Sequence, residues 1–423
     1  MTREMLCEQV DTVMRAFAFE GEIREYRPFG NGHINDTYVV IMQSGRRYIV
    51  QRINHEVFKK PWELMENVAG VTAFLRKKII ARGGDPERET MNIVKTHDGG
   101  NYFKDAIGCY WCAYLFIEGA ETFELVRDPE DFYQSGLGFG RFSGMLADYP
   151  VETLHDVIPN FHNTPVRFQN FKDAVARDPL GRAQHVREEI AFVLAHESDC
   201  YVLDDLKRSG KLPLRVTHND TKLDNIMIDS KTHTALCVID LDTVMPGLLV
   251  HDFGESIRFG AATSVEDEPN LSKMNLDLGL YEVFTRGFLE GCAGSLTECE
   301  LDMLPMGAKT MTLENGMRFL ADYIEGDIYY RIHYPEQNLN RARAQYKLIR
   351  DMERDWKQMH EIIEKYRKTG GKTARKSGHK KKRSKAECIA LGFLRYKDCA
   401  VKPRAARKYN RADGKAGAMH RGR

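Results

Sequence analysis

No stretch of about 18 apolar residues occurs in this 423-residue chain, so a membrane-spanning helix is not expected. The first ten residues mix charges with apolar positions and lack the continuous apolar run of a secretory signal, so the expectation is a cytoplasmic protein. A disulfide framework is missing too: nine cysteines form an odd, scattered set that reads as reduced thiols. Cys109-Tyr110-Trp111-Cys112 spells CxxC, but it begins the apolar run from Cys109 to Ile117, which reads as a strand. Side chains at i and i+3 on a strand face opposite sides, which disfavours both redox pairing and shared metal ligation. There is no internal repeat, and almost no net charge, +1 overall.

That small figure conceals an asymmetry. Residues 367–423 hold 20 Lys/Arg against three Asp/Glu, a charge of +17, which leaves −16 for residues 1–366. An acidic body thus carries a basic tail, whose Gly- and Lys-rich composition predicts disorder. Such an extension binds nucleic acid or an acidic surface electrostatically, or is an incidental appendage.

What is present is the alternation of a two-lobed α+β protein. Residues 3–19 carry apolar positions at helical spacing. Ile23 to Phe29, Thr37 to Met42 and Tyr48 to Ile53 read as three strands of an antiparallel meander, with Gly30-Asn31-Gly32 in the first connection. Pro61 to Lys78 reads as an amphipathic helix, and the apolar run to Ile117 closes a small β-rich lobe, residues 1–118. Glu118-Gly119-Ala120 is the expected hinge. Residues 119–366 form a larger, mostly helical lobe, with helices over 132–147, 172–197, 276–290, 298–325 and 341–365. Within it, Leu214 to Val216, Ile226 to Ile228 and Ala235 to Leu241 are short strands.

Between those strands lies His218-Asn219-Asp220-Thr221-Lys222-Leu223-Asp224-Asn225. His218, Asp220, Lys222 and Asn225 fall at the offsets H-x-D-x-K-x-x-N of a kinase catalytic loop. Phosphoryl transfer is governed by positioning and charge neutralisation, so it needs one carboxylate near the acceptor hydroxyl and another on the metal. Asp240, at the end of the next hairpin strand, supplies the second, and Asp242 follows on the same strand face, where it shares the metal. Each residue alone is compatible with a mere turn cap; their combination with a β-rich lobe is not. Asp252-Phe253-Gly254 spells the metal triplet of protein kinases, but lies beyond the Pro246-Gly247 turn, too far for the return strand. Asp252 is therefore expected to brace the catalytic loop through backbone hydrogen bonds.

Taken together, the loop HNDTKLDN, the strand VIDLDT, the segment GNGHINDTYVV and Tyr48 to Asn54 resemble the N-acetylhexosamine 1-kinases of the aminoglycoside-phosphotransferase-like superfamily, over about residues 20–366. The resemblance implies a protein-kinase-like fold, ATP and Mg²⁺ as cofactors, and transfer to the anomeric hydroxyl of N-acetylglucosamine or N-acetylgalactosamine. It makes Asp220 the base, Lys222 a charge-neutralising cation, and Asn225 and Asp240 the metal ligands; the loop and strand reading adds His218 to the catalytic set and Asp242 to the metal. A generic member has glycine where Asn219 stands. From the residues themselves, Gly30-Asn31-Gly32 either lays backbone N–H groups over ATP phosphates or is a hairpin turn; the expected nucleotide contacts are Gly30, Asn31, Gly32, Thr37, Arg52 (or Arg47) and Glu118. Arg318 is the first expected sugar contact, with Asp36, His33, Asp322 and Tyr323 after it; Asn35, Glu314, Asp327, Tyr329 and Tyr330 lie nearby. Two rival functions remain: a kinase of another small alcohol, such as an aminoglycoside, choline or homoserine, and an inactive kinase-like scaffold whose tail binds nucleic acid.

Overall fold

The structure is a computed structural model that describes residues 3–30 and 35–367, with side chains from Val10 onward. The basic tail from residue 368 lies outside the described residues, as do Asn31, Gly32 and His33 of the expected nucleotide and sugar contacts.

The first lobe opens with α1 (Arg3–Ala16), then β1 (Ile23–Pro28), β2 (Asp36–Met42), β3 (Arg47–Ile53), α2 (Pro61–Ala81), β4 (Phe103–Lys104) and β5 (Tyr110–Leu115). The strands form one antiparallel sheet in the order β1-β2-β3-β5-β4. Strand alternation gives this sheet two unlike faces. Tyr48 and Val50 of β3, with Cys109, Trp111 and Ala113 of β5 and its approach, pack with Val10, Val13 and Met14 of α1 and Phe17 just beyond it. The opposite face carries Cys112 and Tyr114, which join Leu64, Met65 and Val68 of α2 in the main core. Cys109 and Cys112 therefore belong to different cores and are both free thiols.

Helix α2 starts with Pro61, whose fixed φ suits a first turn, and buries Leu64, Met65, Val68, Val71, Thr72, Leu75 and Ile79 at helical spacing. The apolar ones enter a single core with Phe132, Phe139 and Phe142 of the second lobe, so α2 belongs to both bodies. Truncating one of them, Leu64→Ala for example, removes roughly 2–5 kcal/mol of stability.

The second lobe contains β6 (Ala120–Glu121), α3 (Pro129–Met145), α4 (Thr164–Arg177), α5 (Arg187–Ala195), α6 (Asp199–Arg208), β7 (Arg215–Thr217), β8 (Ile226–Asp229), β9 (Ala235–Val238), β10 (Met245–Gly247), α7 (Leu249–Gly260), α8 (Leu278–Gly291), α9 (Glu298–Glu325), α10 (Gln337–Arg354) and α11 (Trp356–Arg367). The helix expected over 172–197 is broken, because Asp178 turns into the left-handed region ahead of Pro179. The one expected over 341–365 divides at Asp355, which caps α10. Helix α9 runs over the expected residues, opened by a Thr297–Glu300 capping box and closed by Gly326 at φ 110°. It crosses α7 so closely that a Cβ on Gly254 would lie 2.3 Å from the Gly307 carbonyl oxygen. The glycine of the Asp252-Phe253-Gly254 triplet thus serves helix packing.

Candidate active site

Strand β7 delivers the chain to His218 at the floor between the lobes. His218 is fully buried; its Nε2 bonds the Ile239 carbonyl at 2.9 Å, its Nδ1 accepts the Asp220 amide at 3.3 Å, and its ring meets Phe139 edge-on. That burial corrects the catalytic assignment of His218: it ties the loop to the residue before Asp240 and has no open face for substrate. Asp252, at the start of α7, accepts the amides of His218 and Asn219 at 2.8 Å each, and its carbonyl accepts the Thr221 hydroxyl at 2.6 Å. Asn219 sits at φ 65°, where a side chain is strained and glycine is not. Its side-chain amide donates to the carbonyls of Thr217 and Thr243, a compensation glycine lacks.

This frame leaves Asp220 projecting from the loop, with Oδ2 3.1 Å from the Lys222 ammonium. Asn225 Nδ2 donates to the Asp220 carbonyl at 2.7 Å and to its carboxylate at 3.2 Å. Although burial opposes the charge, Asp220 and Asp224 hold the Lys222 pKa above its ordinary value. The β8–β9 hairpin pairs Ile226 with Val238 and brings Asp240 back beside the loop. Strand β9 ends at Val238, and Asp240 turns at φ 59° into a 3₁₀ turn, Leu241–Thr243. Asp242 is therefore on that turn, not on the strand face expected from alternation, yet it remains beside Asp240.

Asp240 keeps an exposed surface in the cleft, yet the protein mass packed around it, with Asp220 adding to the effect, raises its carboxyl to about 6. Burial and then Asp240 push Asp242 up to about 7. The Asp240 carboxylate has no hydrogen-bond donor among the described residues, and Asn225 Oδ1 is likewise unmatched. The carboxylates of Asp240 and Asp242 and the Asn225 amide oxygen are hard oxygen donors of the kind that suits Mg²⁺.

The acceptor side of the loop is marked by a residue the sequence did not single out. His162, in the loop before α4, bonds the Asn219 carbonyl through Nε2 at 3.2 Å and Glu314 through Nδ1 at 2.9 Å. Both partners only accept, so both ring nitrogens carry protons and the imidazole is charged. Burial works against that charge, but Glu314 raises the His162 pKa, while His162 brings Glu314 down to about 2. One helical turn beyond Glu314, Arg318 lies 5.9 and 5.5 Å from the ring centroids of Tyr329 and Tyr330. Its guanidinium has no hydrogen bond or ion pair among the described residues.

Other expected contacts are engaged elsewhere. Asp322 accepts the amides of Ile328, Tyr329 and Tyr330 and the side chain of Asn338, so it shapes a loop instead of meeting a sugar. Tyr323 packs in the core of α4 and α9, under the Arg182 guanidinium. Arg52 and Asp36 ion-pair with each other on the sheet face of Trp111, away from α2, which corrects both assignments. In-register pairing sets Thr37, Gln51 and Cys112 on the α2 face, and Gln51 Nε2 donates to the Thr37 hydroxyl at 3.2 Å. Counting alternation from Val50 points to Gln51. Arg47 shares that face and bonds Glu118 at 2.9 Å in an exposed ion pair. Gly30 adopts φ 78° at the opening of its loop.

Among solved structures, one described as a microcompartment-associated aminopropanol kinase aligns with a TM-score of 0.54 and 16% identity, over 84% of this chain and 98% of that one. An aminoglycoside phosphotransferase from Alicyclobacillus acidocaldarius gives 0.52 and 12%, over 85% and 94%. An amicoumacin kinase solved with AMP-PNP and Ca²⁺ gives 0.51 and 12%, over 85% and 96%. At these identities the likeness establishes a shared kinase-like fold. Residues 25–283, more than half the chain, match the profile of the phosphotransferase enzyme family APH, and the protein belongs to that family.

Proposed function

We propose that this protein transfers the γ-phosphate of ATP to the anomeric hydroxyl of an N-acetylhexosamine, giving the sugar 1-phosphate. The observation that carries the choice of acceptor is the charge balance around Arg318. Three carboxylates there face cations: Glu314 faces His162, Glu255 faces Arg258, and Glu266 faces Arg258 and Arg341. Arg318 stands in the field of Glu314 and Glu255 but makes no direct hydrogen bond or ion pair among the described residues, so its donors are open to a ligand. A cationic amino alcohol entering such a wall meets repulsion, whereas a neutral sugar with an N-acyl carbonyl and ring hydroxyls offers the acceptor oxygens that a guanidinium seeks.

Asp220 orients the acceptor hydroxyl and takes its proton as the bond to phosphorus forms. A hemiacetal hydroxyl is more acidic than an ordinary alcohol, so a carboxylate suffices. Lys222 lies beside Asp220 and neutralises charge on the phosphoryl oxygens in flight. Asn225, Asp240 and Asp242 would hold Mg²⁺, which supplies charge neutralisation on the nucleotide phosphates. Asp252 and His218 keep the loop in register.

A panel of free sugars, amino alcohols and aminoglycosides, assayed for ATP consumption, tests the reading. Turnover confined to N-acetylhexosamines and abolished by Asp220→Ala supports it; turnover confined to amino alcohols overturns it.

A further inference from the structure

Two side-chain amides of the first lobe reach the turn that follows Asp240. Asn67 of α2 donates to the Val244 carbonyl at 2.8 Å. Asn35, one residue before β2, donates through Nδ2 to Oδ2 of Asp242. The orientation of Asn35 is itself fixed, because its Oδ1 accepts the Asn54 amide at 2.9 Å just beyond β3. Its oxygen is committed to the sheet and its nitrogen to Asp242, so the sheet and that carboxylate form one hydrogen-bonded unit across the lobes.

We propose that Asn35 is a positioning residue for the cation site, coupling the nucleotide-lobe sheet to the geometry of Asp242. The proposal rests on the reading of Asp240 and Asp242 as cation ligands. By holding Oδ2, the amide leaves Oδ1 of Asp242 to turn toward a cation shared with Asp240. A neutral donor is suited to this position because it fixes the carboxylate without cancelling the charge that attracts the metal. An ammonium at the same place would occupy the carboxylate itself. Asp242 is buried and is crowded by Asp240, so without the amide it has reason to rotate away.

Mg²⁺ titration by calorimetry, with ADP saturating, measures the coupling without reference to the acceptor or to turnover. Asn35→Ala should raise the half-saturating Mg²⁺ concentration about tenfold, with ADP affinity in EDTA unchanged. Asn35→Gln keeps the amide but displaces it by one methylene, and should weaken Mg²⁺ in the same direction while preserving the fold. Asn35→Lys should abolish the Mg²⁺-dependent rise in melting temperature. Wild-type Mg²⁺ affinity in the Ala and Gln variants would overturn the coupling and leave the cation site standing. If the unaltered protein binds no Mg²⁺ at all, the reading of Asp240 and Asp242 falls and the proposal falls with it.

Discussion

Asp252 holds Asn219 in a backbone conformation it would not adopt freely: the carboxylate accepts the Asn219 amide at 2.8 Å while φ stands at 65°. The same carboxylate accepts the His218 amide, so one buried side chain fixes the two residues ahead of Asp220. Asp252→Ala leaves two buried N–H groups without partners and should cost about 2–4 kcal/mol of stability. Asp240→Ala, at a position exposed to solvent and without a hydrogen bond among the described residues, should cost less, about 1 kcal/mol or below, chiefly from the left-handed backbone it must keep. Urea unfolding of the two variants in EDTA checks the contrast; equal losses would remove the distinction between the two aspartates.

The carboxyls of Asp240 and Asp242 rise to about 6 and about 7, first through desolvation and then through repulsion by Asp220 on Asp240 and by Asp240 on Asp242. An acid whose folded pKa is raised binds more protons folded than unfolded. Stability therefore falls as pH climbs from the unfolded value near 4 through 7. Mg²⁺ offsets that loss, so its stabilising effect on melting should be small at pH 5 and several degrees larger at pH 8. A Mg²⁺ effect independent of pH would contradict the assignment.

Asn219 and glycine should prove closer than Asn219 and valine. Asn219→Gly relieves the strain of positive φ while losing two hydrogen bonds, for a net change of about 1 kcal/mol. Asn219→Val keeps the strain, adds a β-branch and loses the same bonds, so it should destabilise by about 3 kcal/mol or more. Thermal unfolding of both variants ranks them; the reverse order would refute the role given to backbone strain.

On the acceptor side, Arg318→Ala should raise the sugar KM at least tenfold while the KM for ATP stays within about twofold, and Arg318→Lys should recover only part of the loss because the planar fork is gone. Asp322→Ala, in contrast, should lower stability through the freed amides of residues 328–330. Steady-state kinetics with melting curves separate the two; a change in sugar KM for Asp322→Ala with no change in stability would restore it as a sugar contact.

Much of the site is legible in the sequence because local pattern and tertiary use agree. The loop from His218 to Asn225 and the return to Asp240 are set by short-range spacing across one hairpin, and the amphipathic stripe of α2 is visible in its own periodicity. Arg52 is misplaced when charge is weighed before strand alternation, which puts Gln51 on the α2 face. Asp322 and Tyr323 share helical spacing with Arg318, but what each touches depends on the 326–330 loop and on α4, neither of which spacing reveals. His162 carries no signal: it is a lone histidine in a loop, and only the fold brings it between Asn219 and Glu314.

The most direct measurement is phosphorus NMR of the product formed from ATP, Mg²⁺ and N-acetylglucosamine or N-acetylgalactosamine. The expected result is an anomeric phosphate coupled to the C1 proton, formed at least about a hundredfold more slowly by Asp220→Asn. Phosphate transferred to an amino alcohol, with none reaching C1 of any free sugar, would contradict the account.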